Sequence, residues 1–234
     1  MINTIINDDC RNVFPEIKRK YKNIFLLFDP PYNIKFNYDK YEDNLTDEEY
    51  TNLIKTFKDI PSAIIHYPIE TMKYIVPVLG VPQEVMAWCY ASNLPKRFRL
   101  ISTYERKPDF NKVKQPYKNL TDKRIRKRVA EGSKGSPLYE WFSDINIVKN
   151  VSKDKTIHPC PIPIKLFKRL IKLLVKEDEI VIDPFCGTGN CLLACKELDI
   201  NYIGIEISER YCQESQARID KYDEEHKDIF NIKK

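Results

Sequence analysis

No run of 18 or more apolar residues occurs among the 234, so the sequence offers no stretch long enough to cross a bilayer as a helix. Its start lacks the basic-then-apolar pattern of a secretory signal, and the expectation is a soluble, cytoplasmic protein with no membrane partner. The seven cysteines are odd in number and show neither CxxC spacing nor a paired Cys–His pattern that would suggest zinc, and no metal is expected. Cys186, Cys191 and Cys195 lie close together, but small buried thiols account for them, and reduced thiols fit a cytosolic setting. No GK[ST] follows a glycine loop, which argues against a P-loop. Internal repeats and long low-complexity tracts are also missing.

Apolar residues make up 42% of the chain, enough to fill the core of one ordinary domain with an insertion. The net charge of +5 is unevenly spread: from Pro95 to Lys134 there are fourteen Lys and Arg against four acids, an excess of ten, so the rest must sum to −5. A basic segment on a mildly acidic body is an electrostatic footprint for a polyanion. Taken alone, it reads equally well as a solvated charged face.

Apolar spacing predicts strands at residues 4–6, 24–28, 63–66, 85–90, 100–104, 179–182 and 202–204, and helices at 47–58, 69–79, 165–174 and 191–198. This alternation predicts an α/β fold built on a mostly parallel sheet with helices on both faces. Residues 96–157 break the pattern: they are basic, weakly periodic and carry the turn cluster EGSKGSP at 131–137.

Two stretches carry chemistry. In IFLLFDPPYNIKF, residues 24–36, five apolar residues run into Asp29, Pro30, Pro31 and Tyr32. A turn needs only one proline, whereas two hold the acid rigidly at the strand's end. In EIVIDPFCGTGNCLLACKEL, residues 179–198, a strand feeds Asp183 and a loop with Gly187 and Gly189 before an apolar helix. Such glycines let a ligand approach the backbone, although a structural turn would use them too. Twenty-three residues past Asp183 a second strand ends on Glu206, where a carboxylate can hold ribose hydroxyls. Both acid-bearing loops follow strands, so in a parallel sheet they would share one edge and one crevice.

In this order, DPPYN at 29–33 before DPFCGTGN at 183–190, the chain resembles the amino-directed, adenosylmethionine-dependent DNA methyltransferases of the permuted β class. IHPCPIPIKLFKRLI at 157–171 is similar to the segment that introduces that family's cofactor strand, YIGIEISERYCQ to the strand and helix after it, and INDDC at 6–10 to its start. The resemblance implies a Rossmann-like, doubly wound, circularly permuted methyltransferase fold. Residues 1–95 and 158–234 would form the catalytic and cofactor-binding core, with 96–157 a basic target-recognition insertion. It implies that Asp29, Pro30, Pro31 and Tyr32 are catalytic. It further implies that Asp9, Asp183, Phe185, Gly187, Thr188, Gly189 and Glu206 bind S-adenosylmethionine, with no metal required. Asn190 and Ile162 depart from the family's usual Thr and Lys. His158 reads as a satisfied loop residue, and His66 and His226 carry no signal.

The implied partner is double-stranded DNA, its backbone held by Lys123, Arg124, Arg126, Lys127 and Arg128. Tyr139 or Trp141 would stack at a flipped base or fill local core. The expected activity is N6-adenine methylation, as in restriction-modification. N4-cytosine methylation, an RNA or protein methyltransferase and an inactive DNA-binding module are the alternatives. A homodimer and a cognate restriction enzyme stay open as further partners.

Overall fold

β2 (Ile24–Phe28) is buried at all five positions, as expected of a strand inside a sheet covered on both faces. Its side chains alternate: Phe25 and Leu27 enter one hydrophobic cluster, and Ile24, Leu26 and Phe28 enter a second. The computed structural model describes residues 2–91, 96–149 and 155–231. Within these, β2 belongs to an eight-stranded sheet. Its other members are β1 (Thr4–Asn7), β3 (Ser62–His66), β4 (Glu84–Cys89), β5 (Phe98–Tyr104), β8 (Trp141–Phe142), β9 (Ile180–Asp183) and β10 (Tyr202–Glu206). A separate antiparallel pair is formed by β6 (Lys114–Gln115) and β7 (Ser136–Pro137).

The order across the sheet is β1-β10-β9-β2-β3-β5-β4-β8. Every neighbouring pair from β1 to β3 is parallel. β5 runs antiparallel to both β3 and β4, and β8 pairs with β4 in parallel. Both β5 and β8 come from residues 96–157, so this basic segment is woven into the sheet at two places. Residues 92–95 and 150–154, beside the boundaries expected at 95 and 157, lie outside the described residues.

One face is covered by α1 (Cys10–Lys20) and α2 (Asp47–Lys55). Asp9 caps α1, which buries Cys10, Phe14 and Ile17 at helical spacing. Thr46 and Glu49 form a reciprocal capping box on α2. The other face packs against α6 (Ile164–Leu174) and α7 (Asn190–Glu197). α8 (Glu209–Asn231) places Ile219 and Tyr222 on that same cluster. Cys186, Cys191 and Cys195 are buried free thiols.

The single helix expected at 69–79 is instead three pieces: α3 (Pro68–Glu70), a π-helical turn (Thr71–Ile75) and α4 (Val76–Leu79). Pro77 lacks an N–H and its ring would clash with the carbonyl four residues back. The chain widens before it, and the Val76 N–H reaches the Thr71 carbonyl five residues back. α5 (Lys123–Ala130), which the sequence pattern did not indicate, buries no residue. Among the described residues no helix is long and apolar enough to cross a membrane.

Candidate active site

β2 and β9 are adjacent and parallel, with Ile24 opposite Ile180 and Leu26 opposite Ile182. Asp29 follows β2 and Asp183 ends β9, so both acids emerge at the same edge of the sheet. β10 and β1 extend the parallel set and bring Glu206 and Asp9 to that edge as well. The result is a cleft whose wall includes Asp9, Asp29, Pro31, Asp183, Phe185 and Glu206. This is the ligand edge of an open α/β sheet.

Asp29 is half-buried at the end of β2. Burial pushes its carboxyl up to about 6, against the opposing pull of the Arg99 charge and a hydrogen bond from the Tyr32 hydroxyl to Oδ1. Tyr32 is only 5% exposed, with His66 and Tyr67 rings centred 4.5 and 4.6 Å from its own. These two rings leave little of Tyr32 open to solvent. Pro30 is buried, and the Pro31 carbonyl accepts from the Tyr50 hydroxyl at 2.5 Å. Tyr50 also meets His66 Nε2 at 3.0 Å, so α2 and β3 together brace the diproline turn. Burial lowers the His66 imidazole to about 4, so it is neutral at physiological pH.

Downstream, the Asp43 carboxylate accepts from the backbone N–H groups of Asn33, Ile34 and Phe36 at 2.7, 3.0 and 3.1 Å. This pins the loop that carries Tyr38, Lys40 and Tyr41 into the cleft wall. Tyr38 stacks on His158, and Asp39 accepts from the Ser208 hydroxyl at 2.6 Å.

The second loop is tied to the strand beside it. Glu206 accepts from the Gly187 N–H at 2.9 Å through Oε2 and from the Ser208 N–H at 2.8 Å through Oε1. A carboxylate has about four lone-pair sites, so it keeps capacity for a ligand's hydroxyls. Asp183 accepts from the Phe185 N–H at 3.0 Å, and burial pushes its carboxyl up to about 8. Phe185 lines the cleft and also packs on Phe28 and Phe57. Asp9 lines the cleft while paired with Arg11 at 2.5 Å, and the Arg11 hydrogen bond holds its carboxyl below the usual range.

The two glycines do different work. Gly187 has φ +50° and lines the cleft, where a β-carbon would lie 3.4 Å from the His158 ring. Gly189, φ +81°, is outside the cleft wall, and its β-carbon would strike Ser215 Oγ on α8 at 2.0 Å. The absence of a side chain at Gly189 lets α8 pack close to this loop. Thr188 lines the cleft and donates to the Thr156 hydroxyl at 2.9 Å. Asn190 also lines it: Nδ2 donates to the Ile162 carbonyl at 2.6 Å, and the buried Oδ1 has no partner. Among the residues lining the cleft, five are acids (Asp8, Asp9, Asp29, Asp183 and Glu206) and two are cations (Arg11 and Lys40). Such a wall suits a cationic ligand that carries hydroxyls.

Residues 25–217 match the family model described as DNA methylase, of the N6/N4 methyltransferases. The chain belongs to this family. The type II methyltransferase M.HpaI of Haemophilus parainfluenzae is 25% identical over 240 residues, spanning 90% of this chain and 73% of M.HpaI. Among solved structures, the M1.HpyAVI–SAM complex superposes with a TM-score of 0.62 at 20% identity, covering 92% of this chain and 98% of the other. The cytosine-N4-specific PvuII DNA methyltransferase reaches 0.62 at 16% identity, covering 91% and 84%. The Rossmann-like, doubly wound fold of this DNA methyltransferase is thus shared with solved methyltransferases.

Away from the methylase cleft, Lys123, Arg124, Arg126, Lys127 and Arg128 are all exposed on α5. None of them lines the cleft. Asp122 caps the helix and pairs with Arg124 at 3.1 Å, while Glu131 lies 3.9 Å from Lys127. Tyr139 and Trp141 are 40% and 45% exposed, so they are not core; their rings stack 6.2 Å apart with Lys118 over both.

The motifs did not announce Tyr50, Asp43 or Arg99. His66, which carried no motif signal, stands at the end of the apolar strand SAIIH on the ligand edge. Among the described residues no cluster of His, Cys, Asp and Glu is placed to hold a metal ion.

Proposed function

We propose that this DNA methyltransferase acts on the exocyclic N6 of adenine in double-stranded DNA, with S-adenosylmethionine as donor. The observation that carries the reading is that Asp29 and Pro31 stand in the wall of the same cleft as Asp183, Phe185, Gly187 and Glu206. The donor, when bound, supplies an electrophilic methyl group on a sulfonium. A cationic, hydroxyl-bearing molecule fits the acidic wall. Glu206 would hold its ribose hydroxyls, with Asp9, Asp183, Phe185, Gly187 and Thr188 around the rest. The orphaned Asn190 Oδ1 is an acceptor available to the donor's N–H or O–H groups.

The residues of the first loop act on the acceptor. A base amine is a weak nucleophile because its lone pair is delocalised into the ring. The Asp29 carboxylate and the Pro30 carbonyl accept the amine's two N–H bonds, which frees that lone pair to attack in line. With the donor bound, the N–C bond would form as the donor's C–S bond breaks, the C–S electron pair leaving with sulfur, and the nitrogen's proton would pass to the Asp29 carboxylate that accepts its N–H. The diproline, braced by Tyr50, keeps the acceptors aimed before the base arrives. The adenine reaches the cleft flipped out of the duplex, and Tyr32 exchanges its bond to Asp29 for a stack on the base. Residues 96–157 carry target recognition, with the five basic side chains of α5 on DNA phosphates.

Asp at the head of the PPY motif supports adenine, because the cytosine branch more often carries Ser there. Incubation with methyl-labelled S-adenosylmethionine and mixed-sequence duplex DNA, then nuclease digestion and mass identification of the labelled nucleoside, tests it. N6-methyladenine is expected. N4-methylcytosine would keep the mechanism and overturn the base.

A further inference from the structure

We propose that Arg99 is a positioning residue for the transfer reaction, acting on Asp29 through its charge and on Tyr32 through ring stacking, from a cage that excludes water. The proposal rests on the reading of Asp29 as an acceptor of the amine's N–H bonds. Arg99 lies on β5 opposite Trp88 and is 7% exposed. Its guanidinium carbon sits 5.4 Å from the Tyr32 ring centre, 5.3 Å from Tyr67, 5.4 Å from Trp88 and 5.9 Å from Tyr90. The Nε has no hydrogen-bond partner. Among the described residues no carboxylate lies within 4.0 Å of Arg99.

A buried cation without a contacting anion is costly. Methionine or leucine would fill the same space without that cost. Four aromatic rings offset part of it through cation–π contacts. What the charge adds is its effect on the neighbouring acid. Tyr32, which packs on Arg99, donates its hydroxyl to Asp29 Oδ1, so the cage is one residue removed from the proposed reacting centre.

The titratable and charged groups that feel the Asp29 charge come from six elements. They are Tyr32 and Tyr38 on the loop after β2, Tyr50 on α2, Tyr90 after β4, Arg99 on β5, Cys160 before α6 and Asp183 on β9. Arg99 is the cation in this set. Lys96 lies over the Tyr67 ring and is paired with Glu70 at 2.7 Å. Burial already raises the Asp29 carboxyl to about 6, and the Arg99 charge opposes that rise. Without this cation, Asp29 would be more protonated at neutral pH, and a protonated carboxyl loses both its charge and part of its acceptor capacity.

The test is an NMR titration of the full-length protein labelled at aspartate Cγ, with the Asp29 signal assigned through Asp29→Asn. Wild type, Arg99→Lys and Arg99→Met are compared, and Arg99→Gln is the neutral variant should Met fail to fold. The Asp29 midpoint is expected near 6 in wild type, close to that in Arg99→Lys and higher by roughly one unit in the neutral variant. The ratio of methyl-transfer turnover at about pH 6 to that at about pH 8 then falls roughly fivefold in the neutral variant. Equal Asp29 midpoints in wild type and a folded neutral variant overturn the proposal. If the midpoint moves but Asp29→Ala still transfers methyl groups, the reading of Asp29 fails, and Arg99's role in the reaction fails with it.

Discussion

The cleft and α5 are built on opposite plans. In the cleft, acids are fixed by backbone donors: Glu206 by Gly187 and Ser208, Asp183 by Phe185, and Asp43 by three amides of the loop above. On α5, five cations point into solvent from a helix that buries nothing. One region is shaped before its ligand arrives; the other presents charge whose partners must come from outside. A small donor needs a preformed site, whereas a phosphate backbone needs only a field and reach.

The sharpest break of this comparison is Asp29→Ala. Methyl transfer should fall by at least about 10²–10³-fold, while calorimetric affinity for S-adenosylmethionine stays near the wild-type value. The mirror experiment neutralises Lys123, Arg124, Arg126 and Lys127 together. DNA affinity should drop and its log–log salt slope should flatten by up to about 3–4, while donor affinity changes little with salt. An unchanged slope would assign the DNA contact elsewhere.

A smaller effect is expected from Asp43→Ala. Three amides lose their acceptor, so the protein should melt earlier by the equivalent of about 2 kcal/mol. Donor affinity should weaken as Tyr38 and Tyr41 lose their fixed place, whereas nonspecific DNA binding should not change.

The last effect depends on pH and lies at Asp183. Burial raises its carboxyl from the ordinary 3.8 to about 8, so the folded state holds a proton that the unfolded chain releases above about pH 4. The stability that this contributes is complete below pH 4 and is lost as pH rises through 8. Asp183→Asn removes the dependence, so its melting temperature relative to wild type should rise between about pH 6 and 9 in the absence of donor. A constant difference across that range would place the proton elsewhere.

What the sequence disclosed follows from how local each cause is. β2 was plain because five apolar residues end at Asp-Pro-Pro, and the glycine loop was plain because its turn demands that composition. α1 was overlooked because Pro15 interrupts a basic, polar stretch, although Asp9 as a cap and Cys10, Phe14 and Ile17 at helical spacing were there to find. α5 escaped because a helix with no buried face has no apolar stripe. Tyr50, His66, Asp43 and Arg99 act only through partners that folding brings to them. The separate duties of Gly187 and Gly189 emerged only with Ser215 and His158 in place.

The pairing of β2 with β9 and of β1 with β10 also sets an order of events during synthesis. Ile24 must wait for Ile180, and Thr4 for Ile203. Until then β2 has only β3 beside it, so one edge of an apolar strand stays open while most of the chain is being made. Sheets closed by such distant partners assemble slowly and expose sticky edges on the way. Yield of active protein should therefore respond to growth temperature and chaperone supply more strongly than the stability of the finished fold would indicate.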